Sequence, residues 1–547
     1  MHGLMMNTPL TITSIMRHVE RNSPEGEIVS VTADQPLHRL TYRQAFARAR
    51  KLANALNRLG IASSERVATL AWNDYRHFEL YYAISCAGLV LHTINPRLFA
   101  EQIEYIVNHA EDRYIFTDVM FVPLLEKLAP QLPGVEGYVV MTDAAHMPQS
   151  TLPNLLCYET LLEAESEDFE WPELDENTAS ALCYTSGTTG NPKGVLYSHR
   201  ATVLHTYASA LPDVMNLRAG DVVLPVVPLF HANGWGTTYT VPMVGAKLVF
   251  PGPKLGDGET LHRLMESEGV TAALGVPTVW LALLQYLRDS GVTLTTLQRT
   301  IVGGSACPLA IMDEFREKHG VETHHAWGMT EMSPLGTFNS LLPGMETLDH
   351  QALQAVRAKQ GRAVYGVEMK IVDDEGNELP WDGERFGTLK VRGPWIASAY
   401  YRTGEKGSAL DSKGWFNTGD VATIDASGYM QITDRTKDVI KSGGEWISSI
   451  DLENAAVAHP GVLEAAVIGV AHAKWAERPL MIVVPSEGGN LDKETLLEFL
   501  AAHVAKWWLP DDIVFVDEIP HTATGKISKV GLRERFGDYR LPTDTED

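Results

Sequence analysis

A run rich in glycine and hydroxyl-bearing residues follows an apolar stretch near position 184 and contains a single lysine. Residues 184–195 read YTSGTTGNPKGV, with three glycines, four serine or threonine hydroxyls and Lys193. Glycines let backbone N–H groups approach an anion closely, and the hydroxyls and the ammonium add further donors. The run predicts a phosphate-binding loop, with a flexible turn between strand and helix as the alternative. It is not the usual P-loop, because Pro192 and Gly194 stand where that motif has a glycine and a hydroxyl.

Three later clusters carry residues suited to the rest of a nucleotide. The backbone of VGGSACP, at 302–308, is suited to lining a planar base. In HHAWGMTEMSP, Trp327 stands four residues before Glu331. The tryptophan ring is suited to stacking on a purine, and the carboxylate is suited to binding a divalent metal near phosphates. WFNTGD ends in Asp420, whose carboxylate suits the two hydroxyls of a ribose. The alternatives are a buried tryptophan beside a surface carboxylate for the second cluster and a turn aspartate for the third.

The elements that must position these residues alternate between helix and strand. Residues 41–60 place apolar side chains at three- and four-residue spacing and end at a glycine, which predicts a helix. Buried strands are predicted at 66–72 and 89–94, with a helix at 75–88 between them. The same alternation recurs further along the chain, and it predicts parallel sheets flanked by helices.

The character of the sequence changes after about residue 360. Residues 367–393 have the pattern of strand, turn and strand. A charged, glycine-bearing break follows at 434–444, and a helix and then a strand resume at 450–470. A terminal α+β unit of about 110 residues is therefore predicted, and a unit of that size can fold on its own.

The composition restricts the class of partner. The chain has 547 residues, with 45 Lys and Arg against 69 Asp and Glu, which gives a formal net charge of −24. A surface this acidic disfavours nucleic acid and anionic membranes as partners, although a single pocket can still be basic. The length predicts about two to four domains.

Cysteine spacing and the N-terminal sequence favour a reduced, soluble, cytoplasmic protein. No basic segment followed by a long apolar run begins the chain, and no stretch approaches about 18 unbroken apolar residues, so neither a signal peptide nor a membrane span is expected. The cysteines lack the spacing of a metal site and are expected to be free thiols. They are Cys86, Cys157, Cys183 and Cys307.

Taken together, these motifs resemble those of the AMP-forming adenylating superfamily, which includes acyl- and aryl-CoA synthetases, peptide-synthetase adenylation domains and firefly luciferase. YTSGTTGNPKG, GGSACP, HAWGMTE, NTGD, the stretch at 434–438 and TATGKISK at 522–529 occur in order. The resemblance implies an α/β fold with a large N-terminal domain, residues 1–434, of two helix-flanked β-sheets plus a small β-barrel part. A small, mobile α+β C-terminal domain, residues 435–547, would carry the catalytic lysine.

The resemblance also implies roles for the residues that match the family's motifs. The loop at 185–193 would hold the β- and γ-phosphates of ATP, Thr330 would contact the α-phosphate, and Glu331 would bind Mg²⁺. Gly303, Gly304 and Ser305 would line the adenine with Trp327 stacked on it, and Asp420 and Arg435 would bind the ribose. The full nucleotide set is Thr185, Ser186, Gly187, Thr188, Thr189, Gly190, Lys193, Gly303, Gly304, Ser305, Trp327, Gly328, Met329, Asp420, Ile432 and Arg435.

The chemistry that the resemblance implies proceeds in two steps. A carboxylate attacks the α-phosphorus of ATP and expels pyrophosphate, while Lys526 bridges the two anions. The C-terminal domain then turns about a hinge at Lys437 and withdraws Lys526, so that a thiol channel faces the acyl-AMP. Coenzyme A is the expected thiol, because no carrier domain follows Lys526. Its predicted contacts are Gly443, Gly444, Trp446, Lys474 and Arg478.

The stretch at 228–252 bears on the acid. His231 resembles the histidine at the acyl pocket of acyl-CoA synthetases, and it is predicted to be catalytic and to line the pocket with Trp235 and Gly236. Amino-acid-activating relatives have an aspartate where His231 stands, so an α-amino acid is not expected. Small residues, Gly236 among them, are expected to leave room for an unbranched chain. The overall pattern is closest to bacterial medium-chain fatty acyl-CoA synthetases and 3-methylmercaptopropionate-CoA ligases.

Two alternatives remain open at this point. One is an adenylating enzyme that delivers acyl-AMP to a separate carrier protein, and the other is a non-catalytic nucleotide-binding relative. The expected partners are a carboxylic acid, ATP with Mg²⁺ and coenzyme A, with no nucleic acid. Relatives in this group are often homodimers, which makes a homodimer an expectation by analogy.

Overall fold

The computed structural model describes residues 1–185, 191–403, 408–435, 438–442, 445–486, 491–521 and 527–544. Their strands form four sheets, and none of the helices within these ranges is long and apolar enough to cross a membrane. Along the chain the helices are α1 Ile12–Asn22, α2 Tyr42–Arg58, α3 Tyr75–Cys86, α4 Ala100–Ala110, α5 Val122–Leu128, α6 Tyr158–Glu163, α7 His199–Ala210, α8 Thr237–Met243, α9 Gly258–Glu268, α10 Pro277–Ser290, α11 Leu309–His319, α12 His350–Arg357, α13 Ser449–Val457, α14 Lys493–Ala501 and α15 Lys529–Arg535.

Two large sheets form the N-terminal part. One has the order β7-β6-β5-β3-β4-β8-β9 and is parallel except for β9, which pairs antiparallel with β8. Its strands are β3 Arg66–Leu70, β4 Val90–Thr93, β5 Asp112–Thr117, β6 Gly137–Val140, β7 Leu155–Cys157, β8 Ala179–Tyr184 and β9 Gly194–Ser198. The other has the order β16-β15-β14-β13-β12-β10-β11-β1-β2. Its strands are β1 Glu27–Ser30, β2 His38–Thr41, β10 Val222–Pro225, β11 Lys247–Phe250, β12 Ala272–Gly275, β13 Arg299–Val302, β14 Glu322–Gly328, β15 Leu335–Phe338 and β16 Arg362–Ala363.

Two smaller sheets follow. An antiparallel sheet of β17 Glu368–Val372, β18 Phe386–Arg392, β19 Phe416–Ile424 and β20 Met430–Arg435 stands where the small barrel part was expected. The C-terminal sheet contains β21 Ile440–Ser442, β22 Glu445–Ile447, β23 Val462–His472, β24 Ala476–Pro485 and β25 Asp512–Phe515. The predicted α/β architecture, with a large N-terminal part and a smaller C-terminal part, is confirmed.

Helix α3 lies in the core between the two large sheets. All of its residues are buried, and it contacts β4 and β8 of the first sheet and β1 of the second. Asp74 caps its N-terminus, because the carboxylate accepts a hydrogen bond from the backbone N–H of His77. The helix predicted at 75–88 and the strands predicted at 66–72 and 89–94 are confirmed. A fully buried helix of this kind keeps the two sheets at a fixed separation.

The helix predicted at 41–60 is α2, and its first turn shows why it begins where it does. The Thr41 hydroxyl accepts from the backbone N–H of Gln44, and the Gln44 side chain accepts from the backbone N–H of Thr41. This capping box satisfies donors that the first turn of a helix leaves without partners. Leu52 and Leu56 are buried on the inner face of α2, which is the apolar face that the spacing predicted.

The chain changes from one sheet to another between residues 435 and 440. Strand β20 ends at Arg435 in the four-stranded sheet, and β21 begins at Ile440 in the C-terminal sheet. The predicted hinge residue, Lys437, lies outside the described residues. The division of the chain at residues 434 and 435 therefore stays a prediction, although the change of sheet falls next to it.

A buried ionic cluster holds the C-terminal part together near this change of sheet. Lys529 on α15 forms an ion pair with Glu453 on α13, at 2.9 Å, and also donates to the Ser449 hydroxyl. The Ser449 N–H and hydroxyl in turn donate to one carboxylate oxygen of Asp434, at 2.9 and 2.5 Å. Burial alone would lower the pKa of Lys529, but the carboxylates of Glu453 and Asp434 outweigh burial and raise the pKa.

We expect Lys529→Met to reduce the free energy of unfolding of the C-terminal part by about 3 kcal/mol, because it leaves Glu453 buried without its cation. Lys493→Met is the matched control and should lose about 1 kcal/mol or less, since the Lys493 side chain is 45% exposed and its partner Asp512 keeps hydrogen bonds from the Tyr539 hydroxyl and the Ile513 N–H. Urea denaturation of both variants provides the measurement. Equal losses in the two variants would contradict the stabilising role of the buried cluster.

Candidate active site

The ends of the predicted phosphate loop are joined by hydrogen bonds. The Thr185 N–H donates to the Lys193 carbonyl at 2.9 Å, and the Lys193 N–H donates to the Thr185 hydroxyl at 3.3 Å. Strands β8 and β9 pair directly below, with Tyr184 opposite Gly194. The loop is therefore closed at its base by a hairpin. Its predicted members Ser186, Gly187, Thr188, Thr189 and Gly190 lie outside the described residues.

The residues predicted for the adenine and ribose lie together. The Asp420 carboxylate accepts from the Trp327 indole N–H at 3.0 Å and pairs with the Arg435 guanidinium at 2.8 Å. Asp420 is 2% exposed and lies within β19, opposite Arg435 in the register with β20. It is therefore a buried strand residue, and the turn-aspartate alternative is wrong. Buried carboxylates require donors of this kind.

The predicted metal-binding carboxylate is buried as well. Glu331 is 7% exposed, so the alternative of a surface carboxylate is wrong. Burial raises the pKa of Glu331, although the Tyr400 hydroxyl, which donates to its Oε1 at 2.8 Å, opposes that shift. Its neighbour Thr330 is also buried, and the Thr330 carbonyl accepts from the Tyr197 hydroxyl at 2.5 Å. A buried carboxylate with a raised pKa gains stability from a divalent cation, so the donor chemistry fits Mg²⁺.

The stretch around His231 and Trp235 forms the wall between the two large sheets. His231 lines a narrow cleft together with Thr93, Tyr184 and Phe230. Trp235 is 9% exposed. Its ring lies against Gly303, where an added Cβ would approach the ring to 3.1 Å. Trp235, which is predicted for the acyl pocket, is therefore in contact with Gly303, which is predicted to line the adenine.

Gly234 and Gly236 lie in a tightly packed turn in which several consecutive residues have positive φ. Residues 232–236 all have positive φ, from 44° to 75°, a conformation that costs an L-residue about 1–2 kcal/mol. A Cβ on Gly236 would lie 2.9 Å from His205, and one on Gly234 would lie 2.6 Å from Leu229. The tight left-handed turn and its close packing already require glycine at Gly236, and the prediction that it leaves room for an acyl chain stays a prediction.

Tyr400 was not foreseen from the sequence. Besides its bond to Glu331, its ring lies 4.8 Å from the Lys193 ammonium. Tyr400 therefore contacts both Lys193 of the predicted phosphate loop and Glu331, the predicted metal-binding carboxylate. The only signal in the sequence is a pair of adjacent tyrosines in AYYRT, which does not distinguish a site residue from a core residue.

The predicted coenzyme A residues are placed only in part. Gly443, Gly444 and Lys526, the predicted catalytic lysine, lie outside the described residues, and Trp446 is described only as a backbone position in β22. Lys474 lies over the Trp475 ring, 4.8 Å from its centroid. These placements leave the predicted thiol channel untested.

The prediction for Arg478 lacks support in the structure. Its side chain is 8% exposed and pairs with Asp511 at 2.7 Å. It also donates to the Ser442 hydroxyl and to the carbonyls of Trp507 and Leu509. All of its N–H groups are directed at the protein, so the guanidinium joins β24 to neighbouring segments and is not presented to a ligand.

The remaining predicted residues follow the same edge of the nine-stranded sheet. Gly303, Gly304 and Ser305 follow the carboxyl end of β13, and Gly304 has a φ of 83°. Gly328 ends β14, and the Met329 N–H donates to the Pro334 carbonyl at 3.0 Å. Ile432 lies instead in β20 of the four-stranded sheet, where its N–H donates to the Gln360 side chain at 2.5 Å.

Comparison with known proteins identifies relatives that match nearly the whole chain. Profiles of the AMP-binding enzyme and of the AMP-binding enzyme C-terminal domain match residues 17–401 and 451–526. The 3-methylmercaptopropionyl-CoA ligase of Ruegeria lacuscaerulensis is 52% identical over 538 residues, 98% of this chain and 99% of that protein. The medium-chain-fatty-acid–CoA ligase of Ectopseudomonas oleovorans is 50% identical over 541 residues, 99% and 98%.

A solved structure supports the same relationship. The anthranilate CoA ligase AuaEII in complex with anthranoyl-AMP superposes with a TM-score of 0.86. The two chains are 26% identical, and the match covers 97% of this chain and 98% of the other. The likeness therefore includes the C-terminal part as well as the two large sheets.

We expect Gly328→Ala to reduce the free energy of unfolding by about 2 kcal/mol, because the new Cβ would lie 2.0 Å from the Pro334 carbonyl oxygen. Gly256→Ala is the matched control, since no atom lies within 4 Å of a Cβ at that position. Thermal unfolding of both variants tests this expectation. An unchanged midpoint for Gly328→Ala would show that the turn is loosely packed.

Proposed function

This chain belongs to the AMP-binding enzyme family, and on that premise we propose that it activates a short-to-medium-chain carboxylic acid, with 3-methylmercaptopropionate as the first candidate. It is an AMP-forming acyl-CoA ligase, as its relatives at about 50% identity are CoA ligases. Over nearly its whole length the chain is similar to ligases named for a short thioether acid and for medium-chain acids. This similarity is the main support for the proposed substrate class.

In the first step an oxygen of the acid attacks the α-phosphorus of ATP. The new O–P bond forms as the bond to the β-phosphate breaks, and pyrophosphate leaves. Because both reactants are anions, the site must supply cations and hydrogen-bond donors. We assign Lys193 to the β- and γ-phosphates, Thr330 to the α-phosphate and Lys526 to the bridge between carboxylate and phosphate.

The nucleoside is assigned to the cluster around Asp420. Its carboxylate accepts hydrogen bonds from the two ribose hydroxyls, with Arg435 beside it, and the Trp327 ring stacks on the adenine. The indole N–H bond to Asp420 supports this assignment, because it fixes the ring plane relative to the ribose acceptor. Gly303, Gly304 and Ser305 provide the backbone that faces the base.

Mg²⁺ is assigned to Glu331. When bound, the cation neutralises charge on the phosphate groups and stabilises pyrophosphate as the leaving group. Glu331 is suited to it, because its carboxylate is buried and accepts a hydrogen bond from the Tyr400 hydroxyl. The Tyr400 ring also lies 4.8 Å from the ammonium of Lys193, the lysine of the predicted phosphate loop.

The second step forms the thioester. The sulfur of coenzyme A attacks the acyl carbon, the C–S bond forms, the bond to AMP breaks and the thiol proton is released. We propose that Lys437 is the hinge for the accompanying domain rotation, and that Gly443, Gly444, Trp446 and Lys474 border the thiol channel.

The acid is assigned to the region of His231 and Trp235. The cleft beside His231 is lined by the apolar side chains of Leu98, Ile106 and Phe230 and by uncharged polar residues, and Trp235 nearby in the chain packs against Gly303. No carboxylate is present among the residues that line this cleft. An apolar, uncharged acyl chain suits such a lining better than an α-amino acid does.

Pyrophosphate release across acids from C2 to C16 and 3-methylmercaptopropionate, each with and without coenzyme A, tests the function. We expect acid-dependent release that needs coenzyme A for turnover, with the highest kcat/KM among the short and medium acids. Lys526→Ala should reduce the release by about 10²–10³-fold, because the bridge between the reacting anions is lost. Lys413→Ala changes an exposed lysine and is the matched control.

Other outcomes would replace the proposal with a specific alternative. Release that is indifferent to coenzyme A would favour delivery of acyl-AMP to a separate carrier protein. No release with any acid would leave a non-catalytic nucleotide-binding protein. A preference for long acids alone would contradict the proposed substrate class.

We expect Glu331→Gln to raise the Mg²⁺ concentration for half-maximal pyrophosphate release by at least about tenfold, because the neutral amide is a weaker ligand for a hard cation. Glu346→Gln, at an exposed carboxylate, is the matched control. The measurement is the rate at fixed ATP over a series of Mg²⁺ concentrations. The same Mg²⁺ dependence in both variants would refute the assignment of the metal to Glu331.

A further inference from the structure

We propose that Tyr400 is a positioning residue for the nucleotide: its hydroxyl orients the Glu331 carboxylate and its ring holds the Lys193 ammonium. The proposal rests on the proposed function, because it takes Glu331 and Lys193 to face the metal and the phosphates. No motif in the sequence pointed to Tyr400, and it is the contacts of its side chain that identify it.

The contacts join two motifs that are far apart in the chain. The Tyr400 hydroxyl donates to Glu331 Oε1 at 2.8 Å. On the other side, the Lys193 ammonium nitrogen lies 4.8 Å from the centroid of the Tyr400 ring, within the range of a cation–π interaction. One side chain thus sets the position of an anion and of a cation at the same site.

The backbone around Tyr400 is fixed to the same two motifs. The Ala397 N–H donates to the Glu331 carbonyl and the Tyr401 N–H donates to the Gly194 carbonyl, both at 2.8 Å. The Thr403 hydroxyl donates to the Tyr400 carbonyl, also at 2.8 Å. Because the segment is held at both ends, the tyrosine ring has little freedom to leave its place between Lys193 and Glu331.

The charges explain why a tyrosine suits this position. A carboxylate as buried as that of Glu331 needs a hydrogen-bond donor in place of the lost solvent. The Tyr400 hydroxyl provides that donor without adding a cation that would compete with the metal. A cation in place of Tyr400 would repel both Mg²⁺ and Lys193. An aliphatic residue would supply neither the donor nor the electron-rich face.

Two substitutions separate the two contacts. Tyr400→Phe keeps the ring and removes the hydroxyl, so we expect the Mg²⁺ midpoint for pyrophosphate release to rise about tenfold, as for the loss of one hydrogen bond to a charged group. ATP binding measured calorimetrically without metal should stay unchanged, because the ring still faces Lys193. Tyr400→Leu removes both contacts and should also weaken metal-free ATP binding by about threefold. Tyr365→Phe, at an 88% exposed tyrosine, is the control.

The separation of metal dependence from ATP binding decides the question. A raised Mg²⁺ midpoint in Tyr400→Phe, with the thermal midpoint and metal-free ATP binding unchanged, supports the proposal. An unchanged Mg²⁺ midpoint overturns it, and so does a fall in thermal stability with equal losses in both kinds of binding. If the wild-type chain releases no pyrophosphate, the proposed function fails, and calorimetric binding of Mn²⁺ and ATP to the three variants then decides the role of Tyr400.

Discussion

Two carboxylates buried at one place are the constraint on which the site depends. Removing Glu331 and Asp420 from water costs free energy unless donors replace the lost solvent. Asp420 obtains them from the indole N–H of Trp327 and the guanidinium of Arg435, and Glu331 from the hydroxyl of Tyr400. These donors come from β14, from β20 and from the segment before β19. Through these hydrogen bonds and the ion pair, the two carboxylates join the nine-stranded sheet to the four-stranded sheet.

The geometry of the large sheets explains why the nucleotide motifs meet. Strands β10, β12, β13 and β14 are parallel, so the segments that follow their carboxyl ends share one edge of the sheet. The loop after β8 belongs to the other sheet, and side chains bridge the gap. The Tyr197 hydroxyl reaches the Thr330 carbonyl, and the Cys183 thiol donates to the Asn233 side chain. The site thus lies where two sheet edges face each other.

Local patterns in the sequence predicted most of the elements, because helix caps and apolar periodicity act over a few residues. The clusters around Trp327 and Asp420 were also found, since their residue types suit a nucleotide. The sequence could not predict Tyr400 or the engagement of Arg478, because both depend on partners far away in the chain. The packing of Gly236 against His205 could not be predicted either, because a left-handed turn packed against a histidine leaves no signature beyond the glycine itself.

The contacts of Asp434 join the end of β20 to the first helix of the C-terminal part. Its carboxylate, 1% exposed, accepts two hydrogen bonds from Ser449 of α13 and one from the backbone N–H of Arg435. These donors matter, because an underbonded buried carboxylate costs several kcal/mol. The Ser449 hydroxyl in turn accepts from Lys529 of α15, which pairs with Glu453 of α13. One series of buried polar contacts therefore ties the point where the chain changes sheet to both α13 and α15.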